Sequence, residues 1–325
     1  MKKATSAGAV TLESLPWYIR FIRYIRRYWF LYLLVVPGLA FMLVFEYGPM
    51  YGIQLAFKDY HANLGIWGSP WVGLDNFRTM VNDSNFWRAF KNTVIINCYM
   101  IFFSTVFTIF LALMLNEMRL KRLKSVVQTA TYLPYFLSWV IFSGLVQVFL
   151  EYPSSTGEVG GVLNQLLVMM GHDPINFLTQ PSMFRTIVVI SDIIKSSGYG
   201  TIVYLASMAT INPSLYEAAK VDGANRGDMM WHITLPAIKP TIVILLILNL
   251  AGLFSSNFDQ IYNLYNNYVL STGDVMSTYL YRISLGGGTQ FEVSTAISLV
   301  SQLLGLVVVL ATNKIVSKMD VMGIF

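Results

Sequence analysis

From residue 29 onward, long apolar runs alternate with short polar stretches, and the apolar positions follow no one-sided helical stripe. Six runs can cross a hydrocarbon core as helices, which takes about 20 residues each. They cover 29–47, 94–115, 126–150, 184–208, 241–258 and 294–313. The pattern predicts an all-α, polytopic membrane domain of six transmembrane helices over 29–325. Residues 1–28 are different. There Trp17, Tyr18, Phe21, Ile22 and Ile25 share one helical face and Arg20, Arg23 and Arg27 the other. This predicts a helix lying in the membrane interface behind a small, polar, mobile tail. A cleaved signal peptide is disfavoured, because the first apolar run starts late, is long and lacks a small-residue cleavage site. Asn92-Thr93 is the expected cap of the second span, and Pro134 the expected kink in the third.

Between the fourth and fifth runs lies the one polar helical segment flanked by long apolar ones. Ser214-x-x-Glu217 has capping-box spacing after Pro213, so a short helix is expected from about Ser214. Asp222-Gly223 signals a turn. Met229, Met230, Ile233 and Leu235 resume helical spacing until Pro236. Residues 212–240 thus read as a helix, a glycine turn and a second helix.

Composition agrees with a membrane protein: 55% of residues are hydrophobic and 12% charged, against about 25% charged in a soluble domain. The single cysteine, Cys98, excludes an intramolecular disulfide and a thiolate metal cluster. The net charge of +5 changes the picture only through its distribution. Lys2, Lys3, Arg20, Arg23, Arg26 and Arg27 precede the first run; Arg119, Lys121, Arg122 and Lys124 follow the second; Lys220, Arg226 and Lys239 follow the fourth; Lys314 and Lys318 close the chain. The opposite loops hold only Lys58, Arg78, Arg88, Lys91 and Arg282. The positive-inside rule therefore puts both termini and the 212–240 segment in the cytoplasm. The charge encodes orientation and calls for no nucleic-acid partner. The external loop 151–183 carries Glu151, Glu158 and Asp173 but no Lys or Arg, with Gly157, Gly160 and Gly161 as turn candidates.

Ionisable groups inside a span are costly and face a partner or a water-filled path. Asp192 and Lys195 in the fourth span are three residues apart on one helical face. They either neutralise one another or line a path with Ser196 and Tyr199. Asn249, Ser256 and Asn257 on and after the fifth span either glue helices together or offer hydrogen bonds to a hydroxyl-rich substrate. Gly286-Gly287-Gly288 lacks the lysine of a phosphate loop, and no Gly-Lys dipeptide occurs in the chain. His61, His172 and His232 lack ligand spacing, so no metal site is expected. No catalytic motif of a hydrolase is present, so no catalytic residue is assigned.

Glu217-Ala218-Ala219, Asp222-Gly223-Ala224 and Ile233-x-Leu235-Pro236 resemble, without departure, the EAA loop of binding-protein-dependent ABC importer permeases. Val72-Gly73-Leu74-Asp75-Asn76-Phe77 resembles the step before the second span in sugar-type members. Glu46–Gly52 and Phe57–Tyr60 look most like permeases of oligo- and polysaccharide importers, the alginate importer included. The resemblance implies a multi-pass protein of the bacterial inner membrane that binds no cofactor itself. ATP and Mg would be used by two separate ATP-binding subunits. A second, related permease would complete the path, and an extracytoplasmic solute-binding protein would deliver substrate. Glu217 would meet a basic group on the ATPase, Ala218 and Ala219 would permit close approach, and Gly223 would set the bend; the competing role for Glu217 is helix capping alone. Aligned from this loop, Ser196 and Tyr199 fall where sugar importers of this kind contact sugar, and Lys195 would suit an acidic one. Two other classes compete: an ion-coupled secondary transporter using Asp192 and Lys195, and a membrane enzyme using external carboxylates such as Glu151 and Asp173. Both treat the 217–240 pattern as accidental.

Overall fold

The computed structural model describes residues 16–153, 160–254 and 257–317. Glu158, Gly157 and Ser256, singled out above, lie outside them. Two compact units divide the chain, residues 1–55 and 56–325.

In the first unit, α1 (Trp17–Arg27) carries the expected aromatic and basic faces. Tyr28 breaks the helix, and α2 (Trp29–Met42) follows, running through one π turn (Leu43–Tyr47) into a 3-10 stretch (Gly48–Phe57). No α2 residue is buried. A helix that is apolar all round and unburied within its unit suits lipid on every side.

The second unit opens on a small motif. Lys58 bridges Trp71, enclosing α3 (Gly65–Gly68), and Asn76 at the start of α4 (Asp75–Asn82) donates to the carbonyls of Ala56 and Lys58 at 3.1 and 2.9 Å. Then α5 runs from Ser84 to Glu117, capped by Asp83, which accepts from the Asn85 N–H. The expected cap at Asn92-Thr93 is therefore not used as one. Those residues lie two turns inside the helix, where Asn92 donates to the carbonyls of Ser271 and Asp274 and Thr93 accepts from the Met276 N–H.

The third predicted span is broken rather than kinked. Its limb on the predicted inner side is α6 (Lys121–Tyr132) with a 3-10 turn (Leu133–Phe136); the limb on the predicted outer side is α7 (Trp139–Leu150), bent away by 107°. Pro134 opens the 3-10 turn, and extended Ser138 caps the new helix through the Ile141 N–H, so the chain restarts instead of bending. Next come α8 (Val162–Met169), α9 (Pro181–Ala209), α10 (Pro213–Val221), α11 (Arg226–Met229) and α12 (Leu235–Ala251). The fifth span thus ends at Ala251, short of the expected 258, because Gly252 leaves the helix and Asn257 takes a left-handed backbone with φ 78°. Short helices α13 (Phe258–Leu264), α14 (Leu270–Gly273) and α15 (Met276–Ser284) lead to α16 (Phe291–Ser317). Among the described residues, five helices are long and apolar enough to span a membrane, six when the bent pair counts as one.

The centre of this unit is α5 packed along α9. Around the N-terminal half of α5, Ile96, Met100, Phe184, Val188 and Ile261 form one core; Ala112, Tyr204, Met208 and Ile238 form another around its C-terminal half. The side of α5 that faces away carries Phe102, Phe103, Val106 and Phe110, all exposed. In lipid there is no hydrophobic drive to bury these rings, so polar and small side chains such as Asn97, Thr108 and Ala112 turn inward instead.

Candidate functional site

The elbow between α9 and α12 is built by local chemistry. Asn212, with Pro213 at the first helical position, caps α10 by accepting from the Ser214 N–H at 3.1 Å. The expected Ser214 cap is displaced by two residues, because a proline at the first position leaves Asn212 as the better-placed acceptor. Glu217 is therefore outside the cap, with its carboxylate exposed. The helix ends in a Schellman turn: Gly223 N–H donates to the Lys220 carbonyl at 3.1 Å and Ala224 N–H to Ala219 at 2.9 Å, with Gly223 at φ +83°. Asn225 and Asp228 then cap α11 reciprocally at 3.0 and 3.1 Å.

Pro236, expected to end the second helix, instead sits in the first turn of α12. A π turn over Met230–Thr234 precedes it and lets the axis continue. The Tyr216 hydroxyl meets Thr234 Oγ1 at 2.9 Å and closes the base of the elbow. Arg226 reaches Glu117 at the end of α5, at 3.9 Å. Glu217, Ala218, Asp222 and Gly223 are exposed on the outer rim, with Ala219, Ala224, Ile233 and Leu235 partly covered.

Deeper in the same unit, α5, α9 and α12 line a half-open cavity of about 440 Å³. Asp192, Ser196, Asn249 and Asn257 line it together, joined by Ser104 and Ser197. Asp192 accepts from Ser104 Oγ at 2.6 Å and Ser196 Oγ at 3.1 Å. Asn257 donates to Asn97 Oδ1 at 2.5 Å, and Asn97 donates to the Leu253 carbonyl at 2.6 Å. The buried Ser197 hydroxyl has no hydrogen-bond partner among the described residues. This wall is a row of hydroxyls, amides and one carboxylate between apolar neighbours, able to accept from and donate to a polyhydroxylated molecule.

Lys195 and Tyr199 go elsewhere. Lys195 forms no ion pair with Asp192; its ammonium donates to the carbonyls of Pro134, Tyr135 and Leu137. Tyr199 stacks on Tyr135 with ring centroids 4.0 Å apart and planes 4° from parallel. The lining of the cavity includes no Lys, Arg or His.

Sequence spacing gave no sign of a second polar cluster on the predicted external side. Buried Asp274 accepts from both ends of the Arg282 guanidinium at 3.1 and 2.6 Å, from Arg88 at 3.4 Å and from Thr278 at 3.1 Å. Its hydrogen bonds hold the Arg282 guanidinium above its ordinary pKa. Only a bidentate Asp–Arg contact across eight residues was local enough to guess, and the Arg88 contact crosses 186.

Residues 86–321 match the family described as binding-protein-dependent transport system inner membrane component. The chain is 40% identical to the polygalacturonan/rhamnogalacturonan transport system permease protein YteP of Bacillus subtilis, over 91% of this chain and 90% of that one. Two solved structures are also similar at 40% identity. One, a bacterial ABC transporter involved in the import of the acidic polysaccharide alginate, superposes with a TM-score of 0.84 over 93% of this chain and 99% of that one. The other, a bacterial alginate ABC transporter in complex with an alginate pentasaccharide-bound periplasmic protein, gives 0.85 over 94% and 100%. With an elbow of EAA type beside a polar intramembrane cavity, and these relatives along nearly its whole length, the chain belongs to the binding-protein-dependent transport system inner membrane components and is a permease subunit of an ABC importer, not an enzyme.

Proposed function

We propose that this permease forms, with a second related permease, the inner-membrane path for an acidic oligo- or polysaccharide. An extracytoplasmic solute-binding protein delivers the saccharide, and two separate subunits bind ATP with Mg and hydrolyse it. Relatives at about two-fifths identity that handle galacturonan and alginate support the substrate class.

The observation that carries the reading is the direct join of elbow to cavity. α9 supplies Asp192, Ser196 and Ser197 to the cavity wall, ends at Ala209, and starts α10 at Pro213. Force applied by an ATPase at Glu217–Gly223 reaches the wall through α10, the short turn at 210–212 and α9. Both termini and the elbow lie in the cytoplasm, in keeping with the distribution of Lys and Arg.

The wall that this chain contributes recognises hydroxyls. Lys195, whose charge would suit a uronate, spends its donors on backbone carbonyls. The carboxylates of an acidic saccharide therefore turn toward the part of the path that the second permease supplies. Asp192, Ser196, Asn249 and Asn257 meet the hydroxyl edge.

The test is ATP hydrolysis by the assembled transporter in vesicles, with its binding protein loaded in turn with oligogalacturonate, oligoalginate or a neutral maltooligosaccharide. Stimulation by an acidic saccharide and not by the neutral one is expected. Uptake by vesicles holding the permeases without ATPase subunits would overturn the reading in favour of an ion-coupled carrier.

A further inference from the structure

A helix that breaks inside a bilayer leaves backbone carbonyls where no water can satisfy them. The inner limb of the third span ends this way, and its last carbonyls form the negative end of the limb dipole. The carbonyls of Pro134, Tyr135 and Leu137 converge on one point, which the Lys195 ammonium occupies at 3.3, 2.9 and 2.6 Å. Lys195 is buried, with 6% of the residue exposed. The rings of Tyr135, Trp139 and Phe142 stand 5.6, 5.2 and 5.9 Å from its nitrogen. An ammonium has three N–H donors and no acceptor, so three carbonyls use it completely.

The same face of α9 holds the inner limb at further points. Gly198 lies so close to Thr131 that an added Cβ would fall 2.0 Å from its carbonyl oxygen, and Tyr132 Oη meets Thr201 Oγ1 at 3.2 Å. Asp192, one turn before Lys195, takes no part, because both its oxygens accept from serines. In transporters built on discontinuous spans, freed carbonyls and half-helix ends of this sort coordinate a soluble cation.

We infer that the broken span builds a cation site and that Lys195 fills it as a tethered cation, so the bend is held by a charge of the chain itself and needs no ion from solution. Lys195 is thus a positioning residue. It fixes the inner limb to α9, the helix that walls the cavity and continues into the elbow. This goes beyond the transport reading and stands whichever saccharide is carried.

The experiment uses the assembled transporter with its partner subunits and binding protein, and reads the ratio of stimulated to basal ATP hydrolysis. Lys195→Ala removes both ammonium and stem, taking from the carbonyls of Tyr135 and Leu137 their ammonium donor while Pro134 keeps the Leu137 N–H; a fall of about tenfold in that ratio is expected. Ethylammonium or propylammonium added to this variant restores it, whereas the same ions leave Lys195→Met unchanged, because the methionine stem fills the space without a charge. Lys195→Arg keeps a cation and stays above Lys195→Met in both stimulation and melting temperature. Stimulation of Lys195→Met equal to that of the parent would overturn the inference, as would an alanine variant indifferent to alkylammonium. Should the alanine variant fail to assemble, the arginine and methionine variants decide: equal melting temperatures, or failure of both to assemble, sink the tethered cation.

Discussion

Asp83 works at both ends of its carboxylate. One side caps α5 by accepting from Asn85 N–H at 2.8 Å, and the other accepts from the Tyr279 hydroxyl. Burial pushes its pKa up, but the hydrogen bonds from Tyr279 and Asn85 and the nearby Arg88 charge outweigh that and hold it below the ordinary carboxylate value of 3.8. Burial, and then the bond to Asp83, push Tyr279 up, so its hydroxyl stays a donor at neutral pH. Because the folded value of Asp83 is depressed, its stabilisation is complete above the unfolded value and is lost as pH falls through the folded one. The melting temperature of the solubilised protein should therefore drop on acidification below about pH 4, and drop less steeply in Tyr279→Phe; equal slopes would refute the pair. Asp274→Asn should cost more, about 3 kcal/mol, the low end for a broken buried pair because both arginines reach solvent. Neither the Asp83–Tyr279 tie nor the reach of Arg88 to Asp274 is legible in the sequence, since periodicity reports which face a residue is on and says nothing of a partner nearly two hundred positions away.

Among the elements, the helix ends were misjudged wherever two residues competed to cap. Asn92-Thr93 and Ser214 are good cap types, but Asp83 and Asn212 lie before them and win, so each helix starts earlier. Pro134 was legible as a disturbance; the depth of the break was not, because a kink becomes a break only where something satisfies the carbonyls it frees. Two glycines on α9 test how closely that helix is packed. Gly198→Ala drives a Cβ into the Thr131 backbone and should destabilise by at least about 1–3 kcal/mol, whereas Gly200→Ala meets only the Thr108 methyl at 3.0 Å and should be milder. Chemical denaturation of the two purified variants distinguishes them, and the reverse order would contradict the packing described. At the elbow, Gly223 at φ +83° admits no proline. Gly223→Pro should abolish saccharide-stimulated ATP hydrolysis in the assembled transporter while the chain still inserts; normal stimulation would mean that the elbow carries no force.

At the scale of the whole molecule, orientation is the property on which every partner depends. In a Cys98→Ser background, Val221→Cys on the elbow should react with a membrane-impermeant thiol reagent only from the cytoplasmic side, and Trp67→Cys only from outside. Both positions are well exposed, at 88% and 80%. Labelling of the elbow from outside would leave an ATPase nothing to push. The run lengths, the polar interruption at 212–240 and the bias of Lys and Arg already specified an all-helical membrane protein with a helix–turn–helix elbow between two of its spans. Each depends only on how neighbouring residues partition between water and lipid, or on turn chemistry within a few residues. Asp192, Ser196, Asn249 and Asn257 were legible for the same reason, as polar groups in places where lipid makes them costly. Only the tertiary structure decided that these four share one cavity while Lys195 leaves it. Asp192 and Lys195 sit on adjacent turns, and what separates them is the set of carbonyls exposed by a break sixty residues earlier. Which charge finds which partner depends on how distant helices pack, and no local pattern records that.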